Sequence, residues 1–114
     1  MRSAVVVLLT VVLGLLTPAF ADDYDDLDKL VATLPKDAAA VVNRHLECIH
    51  WGGEEPYDEA RAREIARATK RAKCDALDRD EAALLKRYAN DPKVVKAVHD
   101  VKALERDPEA GDPP

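Results

Sequence analysis

The run Cys48-Ile49-His50-Trp51-Gly52-Gly53-Glu54-Glu55-Pro56-Tyr57-Asp58 decides how this chain folds. It holds one of two cysteines, the single tryptophan and one of three histidines. Two adjacent glycines stop a helix arriving from the N-terminal side, because glycine takes a positive φ without strain. Pro56 fixes the approach to a new helix, and Asp58 suits its N-cap, with Glu59 in the first turn. The run therefore reads as the connection between two helices, with Cys48 in the last turn of the first.

Outward on the N-terminal side, Ala38, Val41, Val42, His45 and Ile49 share one face of a helix from about Lys36, with Leu46 beside them. Before it, Leu27, Leu30, Val31 and Leu34 follow the same spacing, and Pro35 ends that short helix. Asp22, Asp23, Asp25, Asp26 and Asp28 sit well at its N-terminus, where the helix dipole favours negative charge. On the C-terminal side, Ala62, Ile65, Ala66, Thr69 and Ala72 predict a narrow stripe of small residues on a third helix that ends at Cys74. Its other side carries Arg61, Arg63, Arg67, Lys70, Arg71 and Lys73, a run that usually reads as a solvated face balanced by nearby acids. A fourth helix, capped by Asp75 or Asp78, carries Leu77, Glu81, Leu84, Leu85 and Tyr88 at helical spacing, and Asn90 suits a left-handed C-cap. Asp91-Pro92 restarts the chain into a fifth helix with Val94, Ala97, Val98, Val101 and Leu104 on one side. No strand alternation interrupts the series. The fold expected is all-α, a bundle of four to five short helices.

The first 21 residues read as a signal peptide. Arg2 supplies the basic start, Ala4–Leu16 the apolar run, and Ala19-Phe20-Ala21 the cleavage site. The apolar run is shorter than the ~20 residues of a membrane span. The organisation expected is a signal peptide at 1–21, a helical domain at 22–106 and a disordered tail at 107–114, where prolines and acids alternate. The chain carries 17 Lys and Arg against 22 Asp and Glu, net −5, and loss of Arg2 makes the exported form −6. That acidity argues against nucleic acid or an anionic membrane surface as partner. An exported setting, periplasmic or secreted, makes a Cys48–Cys74 disulfide the simplest use of the two thiols. It closes a loop of 27 residues, worth about 3.5 kcal/mol by chain entropy, in a domain whose net stability is about 5–15 kcal/mol.

The candidate interaction loop comprises His50, Trp51, Glu54, Glu55, Tyr57 and Asp58, with Arg61 behind it. Trp51 reads first as a plug for the open end of the bundle, and second as an anchor for a partner. Glu54 and Glu55 are adjacent in a loop and point apart, which disfavours paired acid/base work. One is expected to accept from the start of the third helix and the other to pair with Arg61 or Arg63. His45, His50 and Glu54 are the residues a metal site or hydrolase would use, but the two histidines are five apart and diverge by about 140° on a helix. With the cysteines paired no thiolate remains, and the chain beyond residue 21 has no serine. No catalytic set, cofactor or metal is implied.

The pattern Cys48-x-His50-Trp51-x-Gly53-Glu54-Glu55-Pro56-Tyr57-Asp58, then Arg61, Cys74-x-x-Leu77 and Tyr88, resembles a group of small exported proteobacterial proteins of unknown function. The resemblance spans about Leu34 to Tyr88. It implies a periplasmic setting and makes the loop the signature, without lending an activity. Size and helical architecture are also similar to the helical immunity proteins that block cell-wall amidases in the periplasm. The function expected is a non-catalytic binding or inhibitor-type protein with a protein partner in the cell envelope. The alternatives are a small metal-binding protein or hydrolase, and a purely structural envelope protein.

Overall fold

The apolar stripe of the last helix sets the architecture. Pro92–Arg106 (α5) begins where Asp91 Oδ1 accepts from the backbone N–H groups of Lys93 and Val94, at 3.1 and 3.4 Å. That side-chain cap makes Asp91-Pro92 a firm start. Val94, Ala97, Val98, Val101 and Leu104 are all buried. Around α5 lie Ala19–Val31 (α1), Lys36–Gly52 (α2) and Leu77–Arg87 (α4), each packed directly against it. They supply Leu27, Val31, Ala38, Val42 and Leu84 to one continuous core. The remaining helix, Glu59–Arg71 (α3), leans on α2 and on the 3-10 turn Cys74–Ala76, and places no residue in that core.

The computed structural model describes Gly14 and residues 19–106. The rest of the signal peptide expected at 1–21, and the tail expected at 107–114, lie outside the described residues. α1 starts at Ala19, earlier than the acidic run alone suggested. Among the described residues there is no strand, and no helix is long and apolar enough to cross a membrane. The chain is thus an all-α bundle stapled once, by Cys48–Cys74, with Cα atoms 5.7 Å apart.

Several local expectations need correction. α2 runs to Gly52, so His50 and Trp51 lie in its last turn and not in the loop. Gly53 ends it at φ −87°, so the glycine pair stops the helix through low propensity, not through a left-handed turn. Neither does Asn90 adopt a left-handed cap: among the described residues the one positive φ outside glycine is Lys73, at 52°. α4 has no side-chain cap from Asp75 or Asp78, because the 3-10 turn feeds straight into it from Ala76. On α3 the buried stripe is Ala68 and Ala72 with half-buried Ile65, while Ala62 and Ala66 face outward.

The C-terminal end of α4 is tied to the start of α2. The Tyr88 hydroxyl donates to Asp37 Oδ1 at 2.7 Å, and Arg87 lies 3.2 Å from Oδ2. The Tyr88 bond is the main reason the Asp37 carboxyl sits below its ordinary 3.8, and it pushes the Tyr88 hydroxyl above its ordinary 10.0. A depressed carboxyl stabilises the fold above its unfolded value and loses that contribution as pH falls. A raised phenol stabilises below its unfolded value and loses it as pH rises. The pair therefore contributes between about pH 4 and pH 10. Tyr88→Phe should lower the thermal midpoint by a few degrees near pH 7, and the gap from the parent protein should narrow below pH 4 and above pH 10 in a pH series of melting curves.

Candidate interaction site

α3 has little apolar burial of its own, so other forces must place it. Arg44, on α2, reaches across. Its Nε donates to the Ala72 carbonyl at 2.8 Å and its Nη2 to the Lys73 carbonyl at 3.1 Å, while Nη1 pairs with Asp80 of α4 at 3.0 Å. One guanidinium therefore holds the end of α3 and the start of α4 to α2, and the Arg44 hydrogen bond draws the Asp80 carboxyl below its ordinary 3.8. Lys73 takes the left-handed conformation, which costs a non-glycine residue roughly 1–2 kcal/mol. The Arg44 bond to its carbonyl and the disulfide at the next residue hold it there.

The other end of α3 is held by the candidate loop. Asp58 Oδ1 accepts from the Arg61 backbone N–H at 2.7 Å and caps the helix. The Arg61 side chain donates from Nε to Glu54 Oε1 at 2.5 Å and pairs through Nη1 with Glu64 at 2.8 Å. Its Nη2 also contacts Glu54 Oε1. These two carboxylates raise the Arg61 pKa further, Glu54 being the larger cause. The guanidinium carbon lies 5.2 Å from the centroid of the Trp51 ring, within range of a cation–π contact. His50 meets Trp51 edge-on, with centroids 5.1 Å apart.

The loop residues therefore separate into two sets. Trp51, Glu54, Asp58 and Arg61 form a closed set that anchors α3, with Trp51 and Glu54 half-buried. His50, Glu55 and Tyr57 point to solvent, and Tyr57 is 81% exposed. Trp51 does not plug the end of the bundle: it packs on the Arg61 guanidinium, outside the main core. The two glutamates do point apart, but the start of α3 is capped by Asp58 and not by either of them.

The residues proposed for metal or hydrolase chemistry do not converge. His50 Nε2 lies 3.9 Å from Glu54 Oε2, while His45, five residues back, turns into the bundle. There His45 Nδ1 bonds Glu81 Oε1 of α4, and its Nε2 lies 2.7 Å from Glu105 Oε2 of α5. Lys102 Nζ stands 3.4 Å from Glu81 Oε2 without hydrogen-bond alignment. Both ring nitrogens of His45 thus face carboxylates, one from each of two neighbouring helices. His45 and Glu81 are buried, at 1% and 0% exposure, Glu105 is exposed, and the three join α2, α4 and α5. Among the described residues no group of three His, Cys, Asp or Glu is arranged to hold a metal ion. Elsewhere a cleft of about 280 Å³ separates α1 from α5 and is lined by Asp23, Asp26 and Asp100 with Lys96, the last two already paired at 2.6 Å.

In the sequence His45 and Glu81 each lie on an apolar helix face, with nothing local to connect them. Their shared signal was an acid at an i, i+4, i+7 core position of α4 and a histidine at the matching position of α2. No family model, curated protein or solved structure matches this chain.

Truncating one partner of a buried charged pair leaves the other uncompensated, at about 3–5 kcal/mol, whereas replacing both with apolar residues is close to neutral. Glu81→Ala should therefore cost the fold about 3–5 kcal/mol in urea denaturation. The double replacement His45→Leu with Glu81→Met should recover most of that loss in the same assay.

Proposed function

We propose that this protein is an exported, non-catalytic binding protein of the cell envelope, of inhibitor or immunity type, and that the segment from Cys48 to Cys74 is its contact surface. The observation that carries this reading is that the segment adds no buried residue to the main core, only half-buried Ile49 resting against it, and is nevertheless held at both ends. A disulfide, an arginine bonded to two backbone carbonyls and a tryptophan–arginine–glutamate set fix it. Holding an element so firmly without burying it preorganises a surface, and preorganisation lowers the entropic cost of binding. Tyr57 stands out of this frame as an exposed aromatic anchor. The disulfide, the A-x-A site after an apolar run and the resemblance of the loop to small exported proteobacterial proteins support a periplasmic or secreted location. The separation of His45 from His50 and Glu54 weighs against the metal-binding and hydrolase alternative.

A photo-crosslinking amino acid placed at Tyr57 in the full chain, expressed in the organism of origin, should give one discrete adduct with an envelope protein. The same residue at Ala83, exposed on α4, should give none. No adduct at position 57, or equal adducts at both positions, contradicts the reading.

A further inference from the structure

Beyond Arg61, α3 keeps its cations exposed on the side away from the bundle and along its flank. At about 100° per residue, the buried centre of the helix falls between Ala68 and Ala72, and the opposite side is occupied by Arg63 and Lys70, with Arg67 beside them and Arg71 on the flank. All four are exposed. A solvated basic helix in an acidic protein ordinarily has its charge balanced by neighbouring carboxylates. Here only Arg63 has one, Glu59 at 3.9 Å across two exposed side chains. Among the described residues Arg67, Lys70 and Arg71 have no carboxylate within 4.0 Å. The exposed acids Asp23, Asp25, Asp26 and Asp28 lie on α1, which packs on α5 and α2 while α3 packs on α2 and the 3-10 turn. Ala62 and Ala66 flank the cations on the outward side, so no long side chain screens that edge.

We infer that this outer face of α3 is a docking surface for an acidic patch on a protein partner. The inference rests on the binding reading above and names the chemistry of what is bound. Three of the four cations are arginines, whose planar forks match carboxylates two bonds at a time. Arg63 to Arg71 spans about 12 Å of helix, the size of a local acidic patch. An extended polyanion or an anionic membrane would also meet the field of a chain whose net charge is −5. A local patch meets only α3, because charges beyond about 8–10 Å are screened at ordinary ionic strength.

The test is fluorescence anisotropy of a labelled oligo-glutamate peptide titrated with the full chain at low salt, alongside labelled duplex DNA and vesicles containing phosphatidylglycerol. The peptide should bind, weaken steeply with added salt, and lose affinity at least about tenfold in the variant Arg67→Glu with Lys70→Glu. The helical circular dichroism of that variant should stay at the parent level, since neither side chain makes an internal contact. Three outcomes overturn the inference: no peptide binding, equal binding by the variant, or tighter binding of DNA or vesicles than of peptide. If oligo-glutamate fails while the Tyr57 adduct persists, the binding reading survives and the acidic-partner inference alone is lost.

Discussion

The covalent and ionic clasp between α2 and the far end of α3 is the constraint on which the rest depends. α3 is 13 residues long, a length at which an isolated helix is marginal in water. Its one buried side chain is Ala68, joined by Ala72 just past its end, each methyl worth about 0.8 kcal/mol. Ordering a residue costs about 1–2 kcal/mol of backbone entropy, so this burial cannot hold the helix in place. The Cys48–Cys74 bridge removes entropy from the unfolded chain. Arg44 then bonds the Ala72 carbonyl at the end of α3, and adds a bond to the Lys73 carbonyl, which also accepts from the Ala76 N–H. At the opposite end Asp58 and Arg61 perform the corresponding task with the helix N–H groups and with Glu54 and Trp51.

The remaining four helices are organised differently. Their valine, alanine and leucine stripes form one core centred on α5, and the His45–Glu81–Glu105 cluster sits among them. A buried charged cluster is weak evidence for stability, since an apolar substitute often does as well. What it supplies is geometry. His45 is satisfied only when α2, α4 and α5 are in one register, so the cluster fixes which way the thin core packs. Because Arg44 precedes His45 on α2, the same turn faces the clasp on one side and the core on the other.

The parts of this fold that were legible in the sequence were those whose signal is local. Val94 to Leu104, Leu27 with Val31, the Asp91-Pro92 restart and the Asp58 cap each declare themselves within one or two turns. The disulfide was legible because two cysteines allow one pairing. The register of α3 was not, because alanines lie on both of its faces and give no contrast between inside and outside; Ala62 and Ala66 look like Ala68 and Ala72 until α2 is present. The left-handed turn at Lys73 was hidden because its cause is tertiary, while the glycine pair at 52–53 advertised a conformation the chain does not use. His45 and Glu81 are 36 residues apart, and only the packing of α2 on α4 brings them together. Of the candidate loop, Glu54–Arg61 was legible as a pairing of types. The division into anchoring residues and outward-facing residues was not, since it depends on where α2 ends.

α3 is thus a helix held by one crosslink and by arginine contacts beside a core to which it gives no residue, which is the arrangement the proposed contact surface needs. Hydrogen exchange measured by mass spectrometry on the native protein, with and without a dithiol reductant, tests this most directly. On reduction, amides in Glu59–Arg71 should lose protection by more than about tenfold, as local opening is freed from the crosslink, while those of α5 stay protected. Unchanged protection in α3, or loss of α3 and α5 together, would contradict the account.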